Sequence, residues 1–339
     1  VRDIDYLSPT AVMLFMNEGA ESYYARYLSD ERPPRDPQSK PMAAGSAFDA
    51  YAKSYLYEGL FGTNNPKFEF KALFEAQVET HNRDWALLAG KYAFECYKKS
   101  GALSDLMLIL ESAQGEPKFE TEIRGVVNGQ RESDSLGVCD MVLLGKPDLE
   151  FVLHSGVEIV FDWKLNGFCS NSAKSPQPGY IKIRDTIQET SSRNVNGSHP
   201  DCVIKTHKGV RINGATTLEK VEKKWATQLA MYAWILGRPI GGDFIVAVDQ
   251  LVGKPSGFEY PWLRVAEHRL LISESFQKAV FATAWDIWRR VKTKHFFPEM
   301  TFEESKARTD VLDKRGLAFK GETENDEWLR KNLIVRRPW

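Results

Sequence analysis

Asp162 and Lys164, in the run Phe161-Asp162-Trp163-Lys164, have the clearest capacity for chemistry in this chain. The run closes a β-type segment, and side chains alternate along a strand. Asp162 and Lys164 therefore share one face, while Phe161 and Trp163 point to the opposite, apolar face. A hard divalent cation takes oxygen ligands, and Asp162 supplies one. Lys164 can hold or activate a water, or neutralise charge on a phosphate. The plainer reading of a lone D-x-K is a surface ion pair on an edge strand. A second acid, Asp140, follows Gly137-Val138-Cys139 and opens an otherwise apolar run through Leu144. Aspartate is depleted in strands and rarely buried unpaired. If that strand pairs with the one carrying Asp162, two carboxylates converge on one Mg²⁺ or Mn²⁺; otherwise Asp140 is a turn aspartate at a strand start. Gln228 and Tyr232, four apart in Trp225–Trp234, share one helix face, and Gln228 falls among apolar positions. Asp49 lies one helical turn after the small-residue start Gly45-Ser46-Ala47.

Elements must hold these residues. Ser8-Pro9-Thr10 reads as a helix start, with Ser8 as N-cap. Glu31 to Pro41 reads as a loop. Helical patterning returns over Ser46–Leu60 and Phe68–Lys99. Three runs, Phe119–Val127, Gly137–Leu144 and Gly156–Lys164, then read as consecutive strands, most simply an antiparallel meander. Asn166–Gly214 is polar and rich in turn residues, a length that is functional or disordered when found inside a domain. Leu218–Leu236 and Ser273–Lys294 read as helices, Asp243–Leu251 and Trp262–Ile272 as strands. The pattern predicts an α/β or α+β core with a helical N-terminal addition.

The 339 residues are 42% hydrophobic and 27% charged, which is globular composition with ample apolar content for a core. Forty-five basic against 46 acidic residues give a net charge of −1, excluding a wholly basic nucleic-acid binder. Cys96, Cys139, Cys169 and Cys202 form no C-x-x-C pair, so neither a zinc knuckle nor an iron–sulfur cluster is expected. No apolar run approaches about 18 residues, so no membrane span is expected, and Val1–Tyr6 has no apolar signal core. The expected compartment is the cytoplasm. No Walker A pattern is present, so ATP-driven translocation is not supported.

Taken in order, Ser8-Pro9-Thr10, Gly45 to Asp49, Gly137 to Asp140, Asp162 to Lys164 and Gln228 to Tyr232 resemble the PD-(D/E)XK nuclease superfamily, specifically its RecB-like and phage exonuclease branch. The family pattern runs Ser-Pro-Ser/Thr, G-x-x-x-H, G-x-x-D, D-x-K and Q-x-x-x-Y. The resemblance spans roughly residues 6 to 237. It implies a restriction-endonuclease-like α/β core with a central mixed β-sheet flanked by helices, plus an N-terminal helical region. The expected division is 1–110 for the helical region, 111–295 for the nuclease core with a polar insert at about 166–216, and 296–339 for a C-terminal extension.

By resemblance, Asp140 and Asp162 are the metal-binding carboxylates, the Trp163 carbonyl completes the metal shell and Lys164 orients the attacking water. Glu120 or Glu122 matches an acidic position of relatives, with Glu122 preferred. Gln228 and Tyr232 hold the catalytic strand or contact the nucleic-acid backbone. Asp49 stands where the family usually has histidine; a carboxylate is a good Mg²⁺ or Mn²⁺ ligand, and whether Asp49 binds metal stays open. In the insert, Lys182, Arg184, Arg193, Lys205, Lys208 and Arg211 outnumber Asp185, Glu189 and Asp201, a patch suited to phosphate backbones or simply a solvated loop. Tyr23, Tyr24 and Tyr51 either stack on unpaired bases or belong to the core. The implied activity is Mg²⁺- or Mn²⁺-dependent hydrolysis of DNA, most simply by an exonuclease of phage or repair type, with a homo-oligomer or a recombination protein as possible partner. The competing reading is a non-catalytic nuclease-fold protein that binds DNA ends or a recombination partner.

Overall fold

Ser8 caps the first helix as its sequence predicts: its hydroxyl accepts the Ala11 N–H (3.3 Å), and Pro9 takes the first turn, where a missing N–H costs nothing. In the computed structural model, residues 2–30, 32–33, 36–62, 65–120, 122–128, 140–166, 181–184, 188–190, 217–240, 245–254 and 262–318 are described. Helix α1 (Pro9–Tyr23) runs into a π-helical turn, Tyr24–Leu28. Then come α2 (Lys40–Phe61), α3 (Phe70–Gln77), α4 (Arg83–Ser100) and α5 (Ala102–Glu111). The helical pattern expected over Phe68–Lys99 is interrupted between α3 and α4. The Glu79 N–H donates to Gln38 Oε1 (3.0 Å), and the Gln38 N–H donates to Glu79 Oε2 (2.8 Å), so the extended backbone there is satisfied by the loop before α2.

The strands are β1 (Lys118–Phe119), β2 (Ile123–Asn128), β3 (Asp140–Gly145), β4 (Leu149–Val152), β5 (Glu158–Asn166), β6 (Ile181–Arg184) and β7 (Gln188–Thr190). After them come α6 (Leu218–Val221), α7 (Lys223–Ile235), β8 (Ile245–Lys254), β9 (Trp262–Leu271), α8 (Glu274–Lys292) and α9 (Phe302–Ala318). The main sheet has the order β1-β4-β5-β8-β9-β6-β7, with β5 and β8 parallel and the other pairs antiparallel. The expected mixed sheet flanked by helices is present. The expected meander is not. Phe119–Val127 splits at Glu120, whose φ of 49° lies in the left-handed region, and β2 and β3 form a separate hairpin. On its antiparallel side β5 pairs with β4, a four-residue strand between Gly145-Lys146-Pro147 and His154-Ser155-Gly156.

Period-two alternation sorts the sheet's side chains. Val160, Val246 and Val248 pack with α1, α7 and α8, while Phe161, Trp163, Ala247 and Leu251 pack with α2, α4 and α5. A fully buried Phe or Val is worth about 1.5–3 kcal/mol relative to exposure. Tyr23 and Tyr24 are core residues, and Tyr51 stacks on Phe70 with centroids 4.0 Å apart, so none of these rings is set out for bases.

Two close approaches position the site. Ala43, Ala44 and Ala47 of α2 share one core cluster with Ala86, Ala89 and Ala93 of α4. A Cβ at Gly90 would lie 2.5 Å from Ala47 Cβ and 2.8 Å from Ala47 C, so only glycine allows α2 this close. At the end of β3, a Cβ on Gly145 would lie 2.5 Å from Tyr232 Cδ1, so the chain there rests on the ring of Tyr232.

Candidate metal centre

Strand register assembles the acids. Leu149 of β4 pairs with Phe161 of β5, so Asp148 falls opposite Asp162. Phe119 of β1 pairs with Leu149, so Glu120 falls opposite Asp148, and the Glu120 N–H donates to the Asp148 carbonyl (3.3 Å). Glu120, Asp148 and Asp162 thus form one row across three adjacent strands. The Trp163 N–H donates to Asp148 Oδ2 (3.1 Å), tying the loop before β4 to β5. Helix α2 adds Asp49 and, one turn on, Lys53. Carboxylate oxygens of Asp49, Glu120 and Asp148 lie within 4.8 Å of one another.

Two ammonium groups enter this cluster. Lys53 Nζ donates to Asp49 Oδ2 (2.7 Å), to Asp148 Oδ1 (2.9 Å) and to Glu120 Oε1. Lys164 ion-pairs with Asp162 and donates to Gln228 Oε1 (3.1 Å). Gln228 Nε2 donates to the Tyr232 hydroxyl (3.0 Å), which donates to the Lys146 carbonyl (3.1 Å). Gln228 and Tyr232 therefore connect Lys164 to the loop that carries Asp148. Lys146 adds an ion pair to Glu120 from a half-exposed position. Behind the site, the Trp163 indole N–H donates to the Tyr97 hydroxyl (3.3 Å), which donates to Asp249, fixing the ring and with it this stretch of β5.

Burial and mutual repulsion govern the protonation of the group. Burial, reinforced by Asp148 and Glu120 against Lys53, pushes Asp49 up to about 7. Burial also drives Asp162 well above the ordinary carboxylate range, with Lys164 opposing and Asp148 reinforcing. Asp148 is partly buried, which also pushes it up, but Lys53, a hydrogen bond from the Asp162 carboxyl, and Lys164 hold it well below that range. Asp148 and Asp162 are thus pushed in opposite directions and titrate as a pair. Burial favours a neutral Lys53, yet Asp148, Asp49 and Glu120 keep it charged. Burial and crowding of the acids thus raise Asp49 and Asp162, a shift that an added cation would oppose.

The donor set is all oxygen and free of thiolate or imidazole, which suits Mg²⁺ or Mn²⁺. Asp49, Asp162, Lys164, Gln228 and Tyr232 come together as the sequence reading places them. Asp140 does not. It is exposed at the far end of β3, about 17 Å of extended chain from Gly145, because β3 pairs with β2 and not with β5. The aspartate that lies opposite Asp162 is Asp148. Glu122 is also displaced: it is exposed and paired with Arg124 (3.2 Å), and the left-handed turn at Glu120 sends Glu120 inward in its stead. The Trp163 side chain is core, and its part in a metal shell rests on its carbonyl alone. Lys182 and Arg184 lie on β6, where the backbone alone is described, and Arg193, Lys205, Lys208 and Arg211 fall outside the described residues.

A signal for Asp148 exists in the sequence. Gly145-Lys146-Pro147-Asp148 spells G-x-x-D as well as Gly137–Asp140 does, and its aspartate stands immediately before β4. Lys53, four residues after Asp49, lies on the same helix face, but nothing local says that its ammonium enters the acids. Compared with protein-family models, curated proteins and solved structures, the chain gives no match.

Proposed function

We propose that this chain is a Mg²⁺- or Mn²⁺-dependent deoxyribonuclease with a PD-(D/E)XK-type core, most simply an exonuclease. The observation that carries the reading is the cross-strand row Glu120–Asp148–Asp162 with Lys164 beside it. A divalent ion held by Asp148 and Asp162, with Glu120 and the Trp163 carbonyl as further oxygens, would supply a polarised scissile phosphate and a water of lowered pKa. Lys164 is placed to orient that water and to offset charge on the phosphate as the P–O bond breaks. Gln228 fixes the Lys164 ammonium, and Tyr232 fixes Gln228 against the Lys146 carbonyl, so the lysine is held before substrate arrives.

A second reading, a nuclease-fold protein that binds DNA ends without cutting, draws on Lys53, whose ammonium already contacts three of the four carboxylates. End-labelled linear DNA and a closed circle, incubated with Mg²⁺, Mn²⁺ or EDTA, decide between them. Metal-dependent loss of the linear DNA alone, abolished in Asp148→Ala, Asp162→Ala and Lys164→Ala but kept in Asp140→Ala, is the expected result. Cutting of the circle would make the chain an endonuclease. Bound but intact DNA under both metals would select the second reading.

A further inference from the structure

Lys53 is a lysine with 1% of its side chain exposed, and its Nζ sits where three carboxylates converge. An ammonium has three N–H donors, and three acid oxygens take them. The nitrogen also lies 6.0 Å from the centroid of the Trp163 ring. No acceptor outside the cluster is needed to satisfy this group. Leaving would cost this buried ammonium three ion pairs.

Charge bears on the number of ions the site can take. Asp49, Glu120, Asp148 and Asp162 carry four negative charges when fully ionised, against the buried ammonium groups of Lys53 and Lys164. Two negative charges remain, which one divalent cation balances. A second divalent ion would leave the cluster two charges positive with Lys53 in place and one charge positive without it, so Lys53 and a second ion compete for the same carboxylates. Two-ion nuclease sites place their metals about 3.5–4 Å apart among shared carboxylates. Asp148 is such a shared group here, with Oδ1 on Lys53 and its other oxygen toward β5 and Asp162.

We infer that Lys53 is a resident internal cation that occupies one of two cation positions, so that the site takes up a single divalent ion. The inference rests on reading this cluster as a metal centre. Lys53 acts as a positioning residue: its ammonium holds Asp49, Glu120 and Asp148 together, and the one mobile ion binds on the Asp148–Asp162 side.

Equilibrium dialysis of the full chain against Mn²⁺, with electron paramagnetic resonance of the bound ion, tests this. Wild type should bind one Mn²⁺ with an uncoupled spectrum. Lys53→Met, close in shape but uncharged, should bind two, with spin coupling between them. Without metal the variant should melt roughly 10 °C lower than wild type, and Mn²⁺ should raise its Tm by more than it raises that of wild type. Two ions in wild type would overturn the inference, with no variant needed. One ion in Lys53→Met, bound more tightly than in wild type, would make the lysine a displaced competitor and also overturn it. One ion bound with unchanged affinity would leave Lys53 a structural ion pair, with the same consequence. No ion in wild type would sink the metal-centre reading itself, and this inference with it. Should Lys53→Met fail to fold, Lys53→Gln is titrated in its place, on the same criteria.

Discussion

Asp49→Asn should stabilise the metal-free protein, and the gain should depend on pH in a defined way. The Asp49 carboxyl is pushed up to about 7 from an ordinary 3.8, chiefly by burial and then by Asp148 and Glu120. A carboxyl whose pKa is higher in the folded state favours folding while it is protonated. That contribution is fully present below 3.8 and is lost as pH rises through about 7. Each pKa unit is worth about 1.4 kcal/mol, so the ionised group costs about 4 kcal/mol above pH 7. Asparagine removes the charge but can still accept from Lys53. Melting curves in EDTA from pH 5 to 9 should therefore show the variant's advantage growing by about 1.4 kcal/mol per unit between pH 5 and 7. Above pH 7 it should level off, at roughly 5–10 °C in Tm. An advantage that is flat across the range, or a variant less stable than wild type at pH 8, would refute the reasoning. It would mean that the Lys53 ion pair outweighs burial and repulsion at this position.

Three further outcomes are expected. Asp148→Asn should abolish Mn²⁺ binding in a calorimetric titration, whereas Asp140→Asn, at an exposed strand end, should leave binding intact and stability within about 0.5 kcal/mol. Equal effects of the two would break the assignment of Asp148. Tyr232→Phe removes the donor to the Lys146 carbonyl and the acceptor for Gln228; it should cost about 1 kcal/mol in stability and lower kcat on DNA with little change in KM. A rise in KM at constant kcat would assign Tyr232 to DNA contact. Gly90→Ala improves helix propensity by about 1 kcal/mol, yet the overlap with Ala47 should make the protein about 1–3 kcal/mol less stable in urea melts, and a neutral result would show that α2 and α4 can part without cost.

Local spacing made part of the site legible. Alternation along β5 puts Asp162 and Lys164 on one face and buries Phe161 and Trp163 on the other. Helical spacing joins Gln228 to Tyr232, and the polar residue at an apolar position has its reason in Lys164. Asp140 and Glu122 misled because each sits in or beside a strand of the right character. A strand's character does not say which strand it pairs with. Glu120 and Glu122 differ by two residues and would share a face if the strand were continuous, but the left-handed turn at Glu120 breaks it.

Residue type and period alone determined the α/β composition of the core, the cap at Ser8, the shared face of Asp162 and Lys164 and the helix face of Gln228 and Tyr232, because those depend on neighbours within a few positions. The choice of Asp148 over Asp140 was made by the pairing of β4 with β5, a register between segments that no local pattern specifies. Lys53 was likewise beyond local reading. It lies 67 residues from Glu120 and 95 from Asp148, and only close packing of α2 on the sheet brings its buried ammonium among acids whose charge it must balance.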